Sequence, residues 1–528
     1  MPMKNAGEPS GPIAREGRNC QIIRESDRSA FLIDAKAYFE ALARVLPHAR
    51  QRIVIIGWDL DPKIALTPEE ADPPVLGPFL RDLVERNDTL ELKILVWALG
   101  PVYARKTLDL FREHTWADHP RIALAFDRRH SLRASQHQKI VCVDGTLAFV
   151  GGMDLTSERW DDRLHRAEWD LRRSPSGSTY GPVHDAQALI SGAAAQGICD
   201  VAADRWRRAT GEALPPVRGA QAGWPDFIAP ALEDCPVAVA RTVPPGFGRR
   251  RRHETAKLTD DAILAARSSL YIETQYLASF RVAGRLEASL RRDKGPEILI
   301  VVTRSSRGML ERIVMEYNRK RLMRRLRRAD IHGRLRVMCA STQASDGSRD
   351  EVLIHSKIII VDSSFARIGS SNLNNRSEGL DTECDLAFEA ARADHRPAIE
   401  NLRNDLLAEH LDTSMEAVAQ VIDETGSMFA AVDRFAGGRR DLRDLDQPSL
   451  EGKVTPLPGT GLFDPRGPAR PWQRLRSWLR RAGRALAGKA ADPSARSSPE
   501  QRRKPERGQA EGQGNEEIHD AKGNHCRQ

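Results

Sequence analysis

Continuous apolar segments alternate with amphipathic segments along most of this 528-residue chain. Arg52–Gly57 (RIVIIG) and Ser269–Thr274 (SLYIET) have the length and composition of buried strands. Each follows a segment whose apolar residues are spaced as in a helix, Asp34–Leu46 in the first case and Thr259–Arg267 in the second. This alternation predicts an α/β fold in which helices cover both faces of a sheet.

The predicted order of elements occurs twice. The equivalent strands are Leu92–Trp97 and Ile298–Thr303, followed by Arg121–Phe126 and Arg334–Cys339. Each lobe therefore runs helix, strand, helix, strand, helix, strand and a final strand that carries a motif. We predict that a long amphipathic helix, Ala186–Ala209, closes the first lobe and that Pro397–Leu411 is its counterpart in the second.

The two motif strands carry the same signature. It consists of His137, Lys139 and Asp144 in the first copy and of His355, Lys357 and Asp362 in the second. A lone H-x-K-x4-D pattern is loose, but these two copies also agree on a glycine downstream, which is hard to obtain by accident. One His per copy indicates a site built from two halves. Two imidazoles that act as a pair suit a two-step displacement at phosphorus.

Side chains alternate along a strand, so the His and Lys of each motif share one face. Asp144 and Asp362 then lie on the opposite face or in the following turn, and we interpret them as structural residues that pair with the backbone or with an arginine. A nucleophilic imidazole needs its second ring nitrogen held by a hydrogen bond. The acidic residues available for this role are Asp185, after the first motif, and Glu383, after the second.

Several residues near the motifs could hold a phosphate group. Lysines supply fixed positive charge, glycine and serine turns let the backbone approach an oxyanion, and an asparagine adds a donor. The candidates are Lys139, Lys357, Asn372, Gly152 and Ser370. His165 and His184 also lie near the first motif, and we interpret them as structural or substrate-lining residues.

The paired motifs resemble those of the phospholipase D superfamily, and the resemblance extends over about residues 50–390. Residues 271–276 (YIETQY) are similar to the Y-I-E-N-Q-Y element of the eukaryotic-type enzymes. The stretches similar to the G-G-x-D-L…R-W-D, W-H-D…G-P-A…R-W and G-S-A-N-x-N-x-R-S elements are 151–161, 183–206 and 369–377. Thr274, Val183 and Ala193 depart from these elements, and these changes bear on substrate fit more than on chemistry.

The resemblance implies a fold of two tandem phospholipase D-like lobes. Each lobe would be a mixed sheet flanked by helices, and a pseudo-twofold axis would place the active site between them. The implied catalytic residues are His137, which attacks phosphorus to form a phosphohistidine, and His355, which protonates the departing alcohol and then deprotonates water.

The resemblance also implies roles for the neighbouring side chains. The residues that would hold the phosphate are Lys139, Lys357 and Asn372. Asp185 would orient His137, and Glu383 would orient His355. Two lysines and two imidazoles can stabilise a monoanionic diester without a metal ion. No carboxylate or His cluster with metal-ligand spacing stands out in the sequence, so we expect no metal and no cofactor.

Three functional classes follow from this pattern. The leading hypothesis is a phospholipase D that hydrolyses phosphatidylcholine-like lipids to phosphatidic acid and the headgroup alcohol, with transphosphatidylation as a side activity. The second is a cardiolipin-synthase-like phosphatidyltransferase, although the hydrophobic membrane segments with which bacterial members of that class begin are not seen in this sequence. The third is a nuclease or other phosphodiesterase acting on nucleic acid, or a catalytically dead binding module. Small nucleases carry one motif and dimerise, whereas both motifs are intact here, which also speaks against a dead module.

Composition restricts the partners and the compartment. The net charge of +8 favours anionic partners. We expect a phospholipid substrate, peripheral membrane contact, a monomer and no nucleic acid. Seven scattered cysteines argue against a disulfide framework or a zinc site. Because neither an apolar signal-peptide segment nor a membrane-length apolar run is seen, we expect a cytoplasmic or peripheral membrane protein, with export by another route left open.

The predicted domain organisation follows from the order of the elements and from changes in composition along the chain. It comprises a disordered N-terminus (1–20), a first lobe (21–213), a linker (214–235), a second lobe (236–446) and a mostly disordered basic tail (447–528) with an amphipathic, Arg-rich helix at 472–486. The helical basic run Arg319–Arg328 is either a solvated face or a contact for lipid headgroups or nucleic acid.

Overall fold

The computed structural model describes residues 11–99, 115–130, 133–217, 222–244, 251–304, 309–445, 448–457 and 460–467. The helix predicted at 472–486 lies outside these residues. In the first half the strands are β1 (Ile22–Ile33), β2 (Arg52–Gly57), β3 (Glu91–Trp97), β4 (Ile122–Asp127), β5 (Ile140–Val143), β6 (Leu147–Gly151), β7 (Val183–His184) and β8 (Ala186–Ser191). The remaining strands are β9 (Leu232–Val243), β10 (Arg252–His253), β11 (Ser269–Thr274), β12 (Glu297–Val302), β13 (Leu335–Gln343), β14 (Arg349–Glu351), β15 (Leu353–Ile354), β16 (Lys357–Val361), β17 (Phe365–Gly369), β18 (Glu383–Glu389) and β19 (Arg440–Asp444).

The helices flank these strands. They are α1 (Asp34–Val45), α2 (Leu76–Arg86), α3 (Gly192–Thr210), α4 (Glu254–Ala265), α5 (Phe280–Leu290), α6 (Met309–Ala329), α7 (Asn375–Gly379), α8 (His395–His410), α9 (Met415–Thr425), α10 (Met428–Arg434) and α11 (Thr460–Phe463), with one short 3-10 turn at Leu46–His48. None of the described helices is long and apolar enough to cross a lipid bilayer.

Most strands belong to one continuous mixed sheet in which the two halves of the chain repeat the same strand order. In the first half β4, β3 and β2 are parallel, and β5, β6, β8 and β1 follow in antiparallel order. In the second half β13, β12 and β11 are parallel, and β16, β17, β18 and β9 follow in antiparallel order. β1 pairs with β9 and so joins the halves.

The parallel strands are continuous apolar runs because helices cover both of their faces. Five of the six residues of β2 and all six residues of β11 are buried. In sequence, α2 connects β2 to β3, α5 connects β11 to β12, and α6 connects β12 to β13. The predicted α/β fold, with a mixed sheet flanked by helices, is confirmed. β13 extends past the predicted end at Cys339, because Gln343 and its neighbours pair with β14 and β19.

The two halves share one apolar core. β6 packs against β17 and β18, and β8 packs against β17. Ile140 and Ala188 of the first half belong to the same buried cluster as Leu386 and Phe388 of the second. Apolar surface contributes about 25 cal/mol of stabilisation for each Å² that is buried. The two halves therefore stabilise each other.

The segment Ala186–Ala209 is not a single helix, and this prediction is wrong. Its first residues form β8, which pairs with both β1 and β6, and α3 begins only at Gly192. Gly192 has φ +70°, a conformation that favours glycine and turns the chain from strand to helix. The prediction failed because every residue of β8 is buried. A strand that is buried on both faces lacks the regular alternation of polar and apolar residues by which a strand is recognised in a sequence.

The N-terminal segment is ordered from residue 11, so the prediction of disorder over residues 1–20 is wrong for residues 11–20. Ile13, Ala14 and Cys20 are buried in the core of the second half. The amides of Ile13 and Ala14 donate to the Glu389 carboxylate at 2.7 and 3.1 Å. β9 also begins at Leu232, inside the predicted linker 214–235, because this strand pairs with β1 from its first residue.

The basic run Arg319–Arg328 on α6 holds the chain that follows β19. Arg324, Arg327 and Arg328 donate to backbone carbonyl groups of residues 448–453. Farther along, Asp464 accepts two backbone amides at the start of α7. Residues 448–457 and 460–467 are therefore part of the folded unit, and the predicted boundary at 447 is wrong for them. The sequence could not reveal this because the arginines bind backbone oxygen atoms, which any residue supplies.

Candidate active site

Each motif histidine is hydrogen-bonded to a carboxylate of the opposite half. His137 Nδ1 lies 2.9 Å from Glu383 Oε2, and His355 Nδ1 lies 2.6 Å from Asp185 Oδ2. The expected pairing of Asp185 with His137 and of Glu383 with His355 is therefore wrong. The two carboxylates are exchanged between the halves, and the site exists only where the halves meet.

Backbone contacts between the halves explain this exchange. The His137 amide donates to the Thr382 carbonyl at 3.1 Å, and the His355 amide donates to the His184 carbonyl at 2.8 Å. In each case the accepting residue immediately precedes the carboxylate that binds the imidazole. β15 pairs in parallel with β7, and Gln136 forms the equivalent single bridge with Thr382. The same local arrangement thus occurs twice with the halves interchanged.

Glycines after each motif allow this close approach. A Cβ atom at Gly151 would overlap the Ala186 carbonyl, and one at Gly369 would overlap the backbone of β18. A Cβ atom at Gly152 would collide with the Asp185 carboxylate. The Gly152 amide donates to the Ala186 carbonyl at 3.2 Å. Gly152 therefore makes room for Asp185, and its predicted role in phosphate binding is not what its contacts indicate.

The residues that follow Gly369 also differ from expectation. Ser370 donates from its hydroxyl to Glu383 at 2.5 Å and from its amide to the Cys384 carbonyl at 3.1 Å. Because both donors are used, Ser370 holds the Glu383 carboxylate and has no donor left for a phosphate. The Asn372 side-chain Oδ1 is buried without a hydrogen-bond partner among the described residues. Because this oxygen is an acceptor and a phosphate oxyanion requires a donor, it does not indicate phosphate binding, and the role of Asn372 stays a prediction.

Both motif lysines are buried at the site. Lys139 Nζ lies 3.1 Å from Asp154 Oδ2. His355 Nδ1 lies 3.3 Å from Lys357 Nζ and 2.6 Å from Asp185 Oδ2. Because the carboxylate is the closer partner, Nδ1–H donates to Asp185. Asp154 is a functional residue that sequence reasoning missed. It occupies the position in the first copy that Asn372 occupies in the second, and this correspondence could have identified it.

The electrostatic environment lowers the pKa of both imidazoles. Burial, together with the positive charge of Lys139, holds the pKa of His137 well below its ordinary value. Burial and the charge of Lys357 do the same for the pKa of His355. Burial also lowers the pKa of Lys357 to about 8. A neutral imidazole has a lone pair available, which a nucleophile requires.

The two orienting carboxylates differ in their ionisation. Burial would raise the pKa of Asp185, but the contact with His355 and the charge of Lys357 outweigh it, so its pKa lies below the ordinary value. Burial raises the pKa of Glu383 to about 7, because its hydrogen bonds compensate only partly. Asp185 therefore stabilises a positive charge on His355 more strongly than Glu383 does on His137. This asymmetry suits His355 to proton transfer and His137 to nucleophilic attack.

Asp144 and Asp362 lie away from the imidazoles and bind backbone amides. Asp144 accepts the amides of residues 50–52 at 2.7–2.8 Å. Asp362 accepts the amides of residues 267–269 at 2.8–3.4 Å. Both aspartates have positive φ, +50° and +51°, which Asp tolerates better than most residues. In each half the motif Asp ties the end of the motif strand to the start of β2 or β11.

A polar network adjoins the motif of the second half. Glu273 accepts hydrogen bonds from Tyr271 and Ser356, both at 2.6 Å, and Ser356 lies between His355 and Lys357 in the chain. Glu273 is another residue that sequence reasoning missed, although the Y-I-E element marks its position. Together, the two imidazoles with fixed Nδ1 atoms and the two buried lysines can perform a displacement at the phosphorus of an anionic diester.

Comparisons with known proteins agree with this chemistry. Residues 260–405 match the family described as "Cardiolipin synthase, PLD-like domain". Human "Phospholipase D1" is 30% identical over 176 residues, which cover 30% of this chain and 15% of the human protein. "Phospholipase D A" of Dictyostelium discoideum is 22% identical over 424 residues, which cover 67% of this chain and 32% of that protein. The chain thus spans a third or less of the length of these relatives.

A solved structure has the same fold. The crystal structure of phosphatidylserine synthase from Haemophilus influenzae Rd KW20 superposes with a TM-score of 0.50 at 13% identity, covering 78% of this chain and 95% of that one. At this identity the likeness concerns the fold alone.

The amide contacts of Asp144 and Asp362 predict a structural role. Asp144→Asn and Asp362→Asn each place a side-chain amide against backbone donors, and we expect each to lower the free energy of unfolding by about 1–3 kcal/mol. Denaturant titration followed by circular dichroism measures this loss. The matched control is Asp170→Asn, whose side chain is fully exposed. A variant that keeps full stability but loses turnover would instead place its aspartate in the chemistry.

Proposed function

Because the chain belongs to the phospholipase D superfamily, we propose that it hydrolyses phosphatidylcholine-like glycerophospholipids to phosphatidic acid and the headgroup alcohol. The observation that carries this proposal is the crossed pairing of His137 with Glu383 and of His355 with Asp185, next to two buried lysines. This arrangement supports a two-step displacement in which each imidazole has one role.

In the first step His137 Nε2 attacks phosphorus. A P–N bond forms, and the P–O bond to the headgroup alcohol breaks. His355 enters this step as an imidazolium ion, with a proton that it took from water in the preceding turnover. It gives its Nε2 proton to the departing oxygen, so the alcohol leaves neutral. The ionised Asp185 stabilises the imidazolium form of His355 before this transfer, and Lys139 and Lys357 balance the charge of the phosphate oxygens.

In the second step water attacks the phosphohistidine. His355 takes a proton from the water, the P–N bond breaks, and His137 leaves as a neutral imidazole. Glu383 accepts the Nδ1–H of His137 in both steps and keeps Nε2 directed at phosphorus. If an alcohol replaces water, the same step forms a new diester, which is transphosphatidylation.

The substrate class rests on the relatives and on charge. Several relatives are named phospholipase D, and the net charge of +8 favours anionic surfaces. We propose that the protein acts as a monomer in peripheral contact with a membrane. Transfer to a lipid alcohol uses the same phosphatidyl-histidine, and cleavage of nucleic acid would form the corresponding nucleotidyl-histidine. The products therefore distinguish these reactions.

The product assay tests the class directly. The full chain is incubated with phosphatidylcholine vesicles in the presence of ethanol, and the lipids are identified by mass. We expect phosphatidic acid and phosphatidylethanol, because water and ethanol compete for one intermediate. Parallel reactions contain phosphatidylglycerol, or a single-stranded oligonucleotide. Cardiolipin as the main product would establish a transferase, and cleavage of the oligonucleotide alone would establish a nuclease.

The paired imidazoles predict that the effects of mutation are not additive. We expect His355→Ala to lower kcat by about 10²–10⁴-fold, as removal of a general acid and base does. His137→Ala should remove nearly all turnover, and the double variant should be little worse than His137→Ala. The exposed His332 provides the control, His332→Ala. Choline release by His355→Ala at the wild-type rate with water as acceptor would contradict the mechanism.

The raised pKa of Glu383 predicts the acid limb of the pH profile. Glu383 holds His137 best when it is ionised, so kcat/KM should rise with pH through about 7 and fall above about 8 as Lys357 loses its proton. Glu383→Gln should lower kcat/KM and abolish the acid limb. The control is Glu389→Gln, a carboxylate that binds only the N-terminal segment. A Glu383→Gln enzyme that keeps the acid limb would show that another group controls it.

A further inference from the structure

A buried cluster of imidazoles and carboxylates adjoins the active site and has no role in the proposed reaction. It consists of Asp34 at the start of α1, His165, His184 of β7 and Glu409 near the end of α8. The four side chains are at most 4% exposed. One ligand atom from each lies within 4.8 Å of the others.

We propose that Asp34, His165, His184 and Glu409 form a structural binding site for a divalent transition-metal ion, with zinc as the ion that best fits the donors. Imidazole nitrogens and carboxylate oxygens are ligands that zinc accepts, and structural zinc sites have four protein ligands. The sequence predicted no metal site, because these residues come from four separate parts of the chain.

The distances around the cluster are close to those of a coordination shell. His184 Nδ1 lies 2.7 Å from Glu409 Oε1 and 3.1 Å from Asp34 Oδ1. His165 Nε2 lies 3.0 Å from Glu409 Oε1 and 3.5 Å from Asp34 Oδ2. Bonds of about 2.0–2.2 Å to a zinc ion in tetrahedral coordination place neighbouring ligand atoms about 3.3–3.6 Å apart. The 3.5 Å separation lies in this range, and a bound ion would widen the other three.

The second ring nitrogen of each imidazole binds an outer carboxylate. His165 Nδ1 lies 2.9 Å from Asp161, and His184 Nε2 lies 3.0 Å from Glu273. Metal-binding histidines almost always donate their other N–H to such a group, which fixes the tautomer and the ring orientation. The arrangement therefore presents one lone pair of each ring to the centre of the cluster.

Charge balance favours a divalent cation. With neutral imidazoles, the cluster and its direct contacts contain four carboxylates and two arginines, a net charge of −2. The carboxylates are Asp34, Asp161, Glu273 and Glu409, and the arginines are Arg163 and Arg172. Uncompensated charge in a buried region is strongly unfavourable, and one divalent ion brings the sum to zero.

Asp34 provides an independent indication of a ligand. Its Oδ2 atom is buried and has no hydrogen-bond partner among the described residues. Its backbone has φ +64°, a strained conformation for a residue other than glycine. Asp34 is also hydrogen-bonded to the backbone of Asp185. The Asp185 amide donates to Asp34 Oδ1 at 3.2 Å, and the Asp34 amide donates to the Asp185 carbonyl at 2.8 Å. A bound ion would thus position the carboxylate that holds His355.

Two additional protons are the alternative source of positive charge. In that case His165 and His184 would both be imidazolium ions. The metal would displace these two protons, so the amount of bound metal distinguishes the two states.

Metal content tests the proposal without a substrate. The full chain is loaded with Zn²⁺, dialysed exhaustively and analysed by mass spectrometry for metals, and a second sample is loaded with Co²⁺ for visible spectroscopy. We expect about one equivalent of either ion, a d–d spectrum of nitrogen and oxygen ligands, and a higher thermal midpoint with zinc. Glu409→Gln should lose the ion. Asp161→Asn alters the outer contact of His165, together with contacts to Arg172 and the Val183 amide, and should weaken zinc binding by about 10–100-fold.

A buried histidine and a half-buried carboxylate outside the cluster provide the controls. His395 donates to the Glu233 carbonyl and Glu389 binds the N-terminal segment, so His395→Gln and Glu389→Gln should retain the zinc of the wild-type protein. A wild-type chain that retains no stoichiometric Zn²⁺ or Co²⁺ would overturn the proposal and favour the two protons. Equal retention by Glu409→Gln and the controls would also overturn it. The wild-type spectrum keeps the test decisive if a variant fails to fold.

Discussion

The crossed hydrogen bonds of His137 to Glu383 and of His355 to Asp185 are the constraint on which the site depends. Each bond joins the two halves of the chain, so neither half contains a complete imidazole and carboxylate pair. Buried carboxylates are unfavourable unless they are hydrogen-bonded, and here the partner of each carboxylate is a motif histidine. Glycines at positions 151, 152 and 369 follow from the same constraint, because side chains there would separate the strands that carry the pairs.

The duplicated architecture has produced two similar environments with different properties. Burial and a neighbouring lysine lower the pKa of both imidazoles. Their carboxylates diverge, since Asp185 is held ionised whereas burial raises the pKa of Glu383 to about 7. Opposite shifts in a pair of carboxylates commonly separate the roles of two catalytic groups. The proposed division between nucleophile and acid therefore has a physical basis in the surroundings of the two histidines.

The segments near the two ends of the chain, which the sequence predicted to be disordered, also contribute to the folded unit. Ile13 and Ala14 reach the second half and bind Glu389, while residues 448–453 are held by arginines of α6. One buried apolar cluster contains residues of both halves, among them Ile140 of the first and Leu386 of the second. Beside the site, the cluster around His184 links α1 and α8 through side chains that are almost completely buried.

The sequence by itself determined the α/β class, the repeat, the strands that carry the motifs and the displacement of Asp144 and Asp362 from the catalytic face. These features depend on local periodicity, which neighbouring residues encode. Only the tertiary structure decided which carboxylate holds which histidine, that Ser370 binds Glu383, and that Asp34, His165, His184 and Glu409 converge. These contacts join residues far apart in the chain, and they arise from the pairing of β1 with β9 and from the packing of one half on the other, for which no single segment carries a signal.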